Sequence, residues 1–276
     1  MKANVQELSY PVSLKNKKRP TRHIPRGVKG FVLPIVIVAV WQIVADLGLI
    51  ADTVLPSPFL IVQSFVELIV SGELFGHLQI SVLRALGGFL LGAGIGLLLG
   101  LMVGFSKRSE DYVDPTMQIL RTIPSLAVTP LFILWFGFDE LSKILLIAFA
   151  AFFPVYINTF NGLRSVDSKF FDVARVLEFS KKKQLTHLIL PAALSHILLG
   201  IRLSLGAAWL SLVVAELMGS SAGVGYMIMD ARQFSQTEKV FVGIIIFGIV
   251  GKLTDSFVRV LERRLLKWRN SFEGVQ

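Results

Sequence analysis

The chain has 276 residues, of which 53% are hydrophobic and 17% are charged, and it contains no cysteine. This composition is too apolar for a soluble domain of that length, and it excludes disulfides, thiolate metal sites and a cysteine nucleophile. The formal net charge of +9 is compatible with nucleic acid binding, so the positions of the charges have to decide that question.

Six segments are apolar enough for membrane helices, since a crossing helix needs about 20 mostly apolar residues. They show no period-two alternation, which argues against barrel strands. The first is too long for a signal peptide and has no small-x-small cleavage site. We therefore predict an all-α membrane protein with six transmembrane helices. These lie at residues 31–50, 82–105, 118–136, 144–163, 192–217 and 240–260.

The basic residues are distributed unevenly between the two sides of these spans. With a cytoplasmic N-terminus, 21 of the 28 Lys and Arg residues fall on the cytoplasmic side, and only Lys143, Arg232 and Lys239 fall outside. This positive-inside pattern places both termini in the cytoplasm and explains the charge without a nucleic acid partner. The predicted organisation is a basic tail at 1–30, a six-span domain at 31–262 and a basic tail at 263–276.

The stretch after the first span, VLPSPFLIVQSFVELIVSGELFGHL, predicts a helix outside the membrane. Ser57 can cap this helix, Pro58 suits its first position, and Gly72 can end it. Its apolar residues fall on one face, which predicts an amphipathic helix lying on the bundle or at the interface. That face consists of Phe59, Val62, Phe65, Val66 and Ile69.

Glycines recur every four residues along the second span. Such a series makes a groove in which another helix approaches closely, and we expect that helix to belong to the same subunit. Prolines in the third span (Pro124 and Pro130) and in the fourth (Pro154) predict kinks, which are common in membrane helices. The glycines are Gly88, Gly92, Gly96, Gly100 and Gly104.

Three charged residues within the spans are candidates for a translocation path: Arg84, Arg202 and Glu216. Ionisable groups in spans are functional candidates by default. For Glu216 a structural hydrogen-bonding role and a gating role are both open. For Arg84 and Arg202 we favour snorkelling or hydrogen bonding within the bundle over attraction of an anion.

The cytoplasmic connection at 164–191 is longer than two antiparallel spans require, and long ordered loops are usually functional. An apolar stripe at helical spacing predicts an amphipathic helix there, with Glu178 and Lys182 in the favoured i,i+4 order on its polar side. A helix resting on lipid headgroups is the alternative. The stripe is Phe170, Val173, Ala174 and Leu177, and the polar side is Asp172, Arg175, Glu178 and Lys182.

This connection resembles the EAA signature of ABC importer permeases. Asp172-Val173-Ala174 corresponds to its acidic-x-Ala start, and Leu190-Pro191 to the Leu-Pro near its end. Glu178 stands where the signature has a glycine. Since left-handed backbone angles cost little only for glycine, this difference argues against a sharp bend and predicts that the helix continues.

The resemblance covers nearly the whole chain. The stretches QILRTIPSLAVTPLFILWFGF and VVAELMGSSAGVGYMI look like permeases for aliphatic sulfonates, taurine and nitrate. This implies a type I ABC importer permease fold in the bacterial cytoplasmic membrane. The implied partners are a second copy, two cytoplasmic ATPase subunits that receive the coupling helix, and an extracytoplasmic substrate-binding protein. The implied ATPase-coupling residues are Phe170, Asp172, Val173, Ala174, Leu177, Glu178, Leu190 and Pro191, the last two beginning span five.

The expected function is therefore a permease subunit for aliphatic sulfonates, with taurine, nitrate or a heterocyclic vitamin precursor as alternative substrates. A motor-independent carrier or a membrane-embedded enzyme is the alternative class, although the lack of an internal repeat disfavours a carrier built from paired repeats. The chain has no P-loop, because Gly251-Lys252 precedes Leu253, and its histidines do not pair at metal spacing. We expect no catalytic residue, metal or cofactor in this chain, with ATP and magnesium bound by the ATPase.

Overall fold

Eleven α-helices and one π-helical turn make up residues 26–266, the part of the chain that the computed structural model describes. The predicted basic tails lie mostly outside this range. The α-helices are α1 Arg26–Asp46, α2 Pro58–Val70, α3 Glu73–Phe105, α4 Lys107–Leu120, α5 Ser125–Phe136, α6 Glu140–Arg164, α7 Ser168–Val176, α8 Lys181–Gln184, α9 Leu190–Leu217, α10 Val224–Gln233 and α11 Thr237–Leu265, and the π turn is Leu185–Ile189.

Four of the six predicted spans are confirmed as single long apolar helices. They are α3, α6, α11 and the helical run Lys182–Leu217 that includes α9. The first predicted span corresponds to α1, which ends at Asp46 instead of residue 50. The apolar part of α1, Val32–Asp46, is shorter than the roughly 20 residues that a perpendicular crossing needs.

The third predicted span is not one helix. It is broken between α4 and α5, which meet at an angle of 95°. Pro124 causes the break, because it has no amide hydrogen and disfavours helical angles in the preceding residue. It adopts an extended backbone with ψ of 131° at the start of α5. The sequence predicts a kink there, whereas the chain turns through about a right angle.

Helix α2 has the predicted ends but buries a different face. The Ser57 side chain accepts a hydrogen bond from the Leu60 amide at 3.2 Å, and Gly72 after the helix has a left-handed φ of 78°. Ile61 and Leu68 are buried against α10 and α11. The predicted face was wrong because α2 is apolar on most of its circumference, so packing selects the buried side. Of the predicted residues, Phe59, Val62 and Val66 are exposed, and Phe65 and Ile69 are partly buried.

The centre of the subunit is the three-helix core of α3, α6 and α9. Helices α3 and α6 are parallel, since Gly88 lies at Ile147 and Gly104 at Leu163. Helix α9 is antiparallel to both, and its Ser204 and Ser211 hydroxyls donate hydrogen bonds to the carbonyls of Ala151 at 2.6 Å and Leu146 at 3.3 Å. The serines let the helices approach closely while their hydroxyls bind backbone oxygen in the same bundle.

All five glycines of the predicted series lie against α6. A Cβ atom at Gly92 would collide with the Ala148 backbone, and one at Gly96 would lie 2.5 Å from the Phe152 carbonyl oxygen. Gly94, on the opposite face of α3, has no neighbouring atom within 4 Å of such a Cβ position. The glycines are therefore required by the contact between α3 and α6 and not by helix geometry.

The directions of the helices define two ends of the bundle. We call the end that carries Phe105, Arg164 and Leu265 the α7 end, since α7 follows α6 there. The opposite end, which carries Glu140 and Leu217, is the α10 end. The predicted coupling segment and the predicted Glu216 site therefore lie at opposite ends of the subunit.

Candidate functional site

The segment at the α7 end contains a short helix with a side-chain cap. The Asp167 carboxylate accepts a hydrogen bond from the Lys169 amide at 2.9 Å, and α7 runs from Ser168 to Val176. An aspartate at this position satisfies one of the amide groups that a helix start leaves without a partner. Helix α7 therefore has a defined start close to the end of α6.

Helix α7 ends in a sharp bend at Glu178. The Phe179 amide donates to the Ala174 carbonyl at 2.9 Å and the Glu178 amide to the Arg175 carbonyl at 3.1 Å, which is the Schellman pattern. This pattern requires a left-handed residue, and Glu178 has φ of 48°. The prediction that the helix continues past Glu178 was wrong, because the capping bonds hold a non-glycine residue in this conformation. Glu178 and Lys182 consequently do not share one helix.

The apolar stripe of α7 is largely exposed, with one exception. Phe170 and Val173 are each 53% exposed and Leu177 is 58% exposed, whereas Ala174 is fully buried within its own subunit. The exposed Asp172 carboxylate pairs with Arg175 at 3.5 Å on the polar side. The exposed part of the predicted stripe therefore consists of Phe170, Val173 and Leu177, with the exposed Val176 beside them, whereas Ala174 is covered by its own subunit.

Leu190-Pro191 lies inside a longer helical run and does not begin it. The run starts with α8, and the Leu190 amide donates to the Leu185 carbonyl, five residues back, in the π turn. Proline lacks an amide hydrogen and its ring crowds the carbonyl four residues earlier, so a wider turn accommodates Pro191. The expectation that the spanning helix starts at this pair was wrong, because the helical run begins at Lys182, about two turns earlier.

A buried polar cluster occupies the α10 end. The Glu216 side chain, 1% exposed, accepts hydrogen bonds from the Ser81 hydroxyl at 2.8 Å, from Arg84 Nη1 at 2.8 Å and from the Gly225 amide at 2.8 Å. The Ser81 hydroxyl also accepts from the Val224 amide at 2.9 Å. Glu216 on α9 thus joins α3 to the first turn of α10.

Glu140 completes the charge balance of this cluster. Its carboxylate accepts two hydrogen bonds from Arg84, each of 2.5 Å, and one from Lys143 Nζ at 3.1 Å. Two cations and two carboxylates leave the cluster neutral, so it offers little net attraction to an anion. We assign it to holding α3, α6, α9 and α10 together. Sequence reasoning missed Ser81, Glu140 and Lys143, since Glu140 and Lys143 resemble ordinary charges at the end of a span.

The Gly-rich loop before α10 fits closely around Glu216. Gly223 has φ of 113°, and a Cβ atom there would collide with the Glu216 carboxylate. A Cβ at Gly225 would lie 2.6 Å from Glu216 Cβ. The two glycines therefore let the backbone reach the buried carboxylate, which explains why a Gly-rich loop follows this glutamate in the sequence.

Arg202 lies apart from this cluster. Its Nε atom donates to the Asp255 carboxylate of α11 at 2.8 Å, and Asp255 also accepts from Arg259 at 2.5 Å. Both members of the Arg202–Asp255 pair are about one-third exposed. The three predicted path residues thus belong to two separate ion-pair groups, and the structure does not bring Arg202 together with Arg84 and Glu216.

A third feature, the central cleft, lies beside the break between α4 and α5. The cleft has an empty volume of about 690 Å³, part of it open to the outside, between this break and the middles of α6 and α9. Its walls include Phe149, Phe153 and Leu210, and Arg121 at the end of α4 is its only charged lining residue. Arg121 was not among the predicted path residues, because the predicted third span was continuous at that point.

The arrangement of these helices matches the fold of a chain in a solved ABC transporter. The fold matches a chain in the crystal structure of an amino acid ABC transporter with histidines, with a TM-score of 0.61 and 18% identity. The match covers 75% of this chain and 98% of the other.

Residues 92–267 match the family described as binding-protein-dependent transport system inner membrane component, and the chain belongs to this family. The putative aliphatic sulfonates transport permease protein of Bacillus subtilis is 71% identical over 94% of both chains. The protein of the same name from Escherichia coli is 45% identical over 89% of this chain and 93% of its own. The chain is therefore a membrane transport subunit and not an enzyme, and such subunits work with an ATPase and a substrate-binding protein.

Proposed function

We propose that this chain is the permease subunit of an ABC importer for aliphatic sulfonates. The observation that carries the proposal is the 71% identity, over 94% of both chains, to the Bacillus subtilis relative whose name specifies these substrates. The Escherichia coli relative of the same name adds support. Taurine, nitrate and a heterocyclic vitamin precursor are the competing substrates.

The proposed assembly contains two copies of this chain and two ATPase subunits. Each copy offers one α7, whose Phe170, Val173 and Leu177 side chains are more than half exposed. Apolar side chains that are exposed to water raise the free energy, and burial against a partner lowers it. The centres of protein interfaces are accordingly apolar. We propose that this face enters the ATPase and that Ala174, Glu178 and the Leu190-Pro191 region hold its geometry. ATP and magnesium belong to the ATPase in this arrangement.

The proposed orientation places the α7 end and both termini in the cytoplasm, and the α10 end outside. The distribution of basic residues supports it. Because the chain has no cysteine, single cysteines report the orientation directly. Ser71, Ser221 and Ser180 are all exposed in the subunit. Cysteines at Ser71 and Ser221 are expected to react with an impermeant reagent from outside, and one at Ser180 only after the membrane is opened; the reverse labelling would contradict this orientation.

Growth on single sulfur sources tests the substrate. A bacterial strain without its own sulfonate and taurine permeases receives this chain with its ATPase and binding protein. We expect growth on ethanesulfonate as the only sulfur source, and no growth when the ATPase is omitted. Growth on taurine but not ethanesulfonate, or uptake of nitrate alone, would replace the proposed substrate. Growth without the ATPase would contradict the importer mechanism.

A further inference from the structure

Arg121 lies halfway along the bundle. Helix α4 runs beside α6 in the opposite direction, since Glu110 pairs with Arg164 at the end of α6 and Asp114 accepts a hydrogen bond of 2.9 Å from the Tyr156 hydroxyl further along. At the end of α4, Arg121 reaches the level of Phe149 and Pro154. From that level, α6 continues about 14–15 Å in each direction, which is farther than an arginine side chain extends.

An arginine at this depth needs a carboxylate or water. Two arginines nearer the middle of spanning helices have carboxylates: Arg84 pairs with Glu216 at 2.8 Å and Arg202 with Asp255 at 2.8 Å. None of the ion pairs found among residues 26–266 includes Arg121, which is exposed on the subunit surface. Charged side chains inside membranes face the protein interior or a water-filled cavity, so this surface does not face lipid.

The central cleft is such a cavity, and its lining residues indicate which kind of ligand it can bind. Phe149 and Phe153 on α6 and Ala207 and Leu210 on α9 form apolar walls, and Arg121 lines the same cleft. A guanidinium presents paired N–H groups that match two oxygens of a planar or tetrahedral anion. One positive group beside apolar walls suits a small anion that carries a short apolar chain.

We propose that Arg121 is the anion-binding group of the translocation path and holds the sulfonate head group while the alkyl chain lies against Phe149 and Phe153. This proposal rests on the proposed function and adds the residue that contacts the substrate. A single cation without further charged groups binds an anion weakly enough for release, which conduction requires. It also explains the break at Pro124, because the turn brings the end of α4, and with it Arg121, to the cleft.

Uptake by the complete transporter in proteoliposomes tests the role of the charge. We expect Arg121→Gln to reduce ethanesulfonate uptake by about tenfold or more, as the loss of a charge-assisted hydrogen bond predicts, and Arg121→Lys to retain part of it. ATP hydrolysis stimulated by the binding protein continues in both. Arg259→Gln, which removes an arginine of α11 away from the cleft, is the matched control and leaves uptake unchanged. Wild-type uptake by Arg121→Gln would overturn the proposal.

Charge restoration separates substrate binding from folding. In Arg121→Cys, a cationic methanethiosulfonate reagent is expected to restore uptake, whereas an anionic one of similar size does not. The control is the permease without the Arg121→Cys substitution, which has no cysteine. Its uptake is measured with and without each reagent, together with the same partner subunits. Failure of the cysteine to react, or restoration by both reagents, would overturn the proposal, as would loss of assembled complex that the cationic reagent does not reverse.

The substrate proposal fails in a different measurement. If the unmodified transporter takes up taurine or nitrate but not ethanesulfonate, the proposed substrate is wrong, and Arg121 is tested with the transported anion in the same variants. If the unmodified transporter takes up a neutral solute and no anion, both proposals fail. If it takes up ethanesulfonate and Arg121→Gln does so equally well, only the Arg121 proposal fails.

Discussion

The three-helix core and the α7 segment differ in where their side chains find contacts. In the core, glycines of α3 contact α6 directly, and Arg84 and Glu216 have partners for their charges inside the subunit. In α7, the helix ends are capped but Phe170, Val173 and Leu177 expose more than half of their surface. The close contacts of the core are made within one chain, whereas the exposed apolar face of α7 is covered by the ATPase in the proposed assembly.

This difference predicts that substitutions in the two regions have different effects. A change in the core acts on folding of the subunit, and transport is lost because the protein is lost. A change on the exposed face of α7 acts on the ATPase contact and leaves the subunit folded.

The largest effect is expected for Gly96→Leu. A side chain at Gly96 meets the Phe152 carbonyl oxygen and the backbone of α6, so the two helices have to separate. We expect little folded protein in detergent, measured as the monodisperse fraction by size-exclusion chromatography.

Gly94→Leu is the matched control, since a side chain there meets no atom within 4 Å of its Cβ. It is expected to give a wild-type yield. Equal yields from the two variants would refute the packing role of the glycines.

A large loss of stability is also expected for Glu216→Ala. It leaves Arg84 and the Gly225 amide without their buried acceptor, and removal of one member of a buried ion pair costs about 3–5 kcal/mol. We expect a lower apparent unfolding temperature of the purified subunit. Asp255→Ala removes a carboxylate from a more exposed pair and is expected to lose much less. If Glu216→Ala unfolds like wild type but loses uptake, Glu216 has a gating role and does not stabilise the helix packing.

Much of the fold could be predicted because hydrophobic length and periodicity report directly on spanning helices. Four spans, the Ser57 cap and the position of α7 follow from such local signals. The break at Pro124 could not be predicted, since proline in membrane helices produces outcomes from a mild kink to a full stop. The buried face of α2 also depends on packing partners far away in the chain.

The buried polar cluster could likewise be predicted only in part. Glu216 could be singled out because a carboxylate in an apolar run is unusual. Its partner Ser81 and the bridging Glu140 lie 135 and 76 residues away in the sequence, and no local pattern connects them. At Glu178 the sequence comparison with the EAA signature was misleading, because local hydrogen bonds impose the bend without the glycine.

A small gain in stability is expected for Glu178→Gly. Glycine adopts the left-handed angles of this position without steric cost, and the difference amounts to about 1 kcal/mol. We expect the variant to transport normally and to unfold at a temperature about 2–4 °C higher. A loss of ATPase binding would show instead that the Glu178 carboxylate contacts the partner. Lys182→Ala, outside the bend, is the control and leaves the unfolding temperature unchanged.

The most direct test of the account compares Val173→Asp with Arg175→Asp. Both place an aspartate on α7, the first on the exposed apolar face and the second on the polar side, and neither replaces the buried Ala174 or a residue of a spanning helix. Co-purification of the ATPase and ethanesulfonate uptake are measured on equal amounts of folded permease. We expect Val173→Asp to lose both and Arg175→Asp to keep both. Wild-type co-purification and uptake in Val173→Asp would contradict the claim that this face of α7 couples the permease to its ATPase.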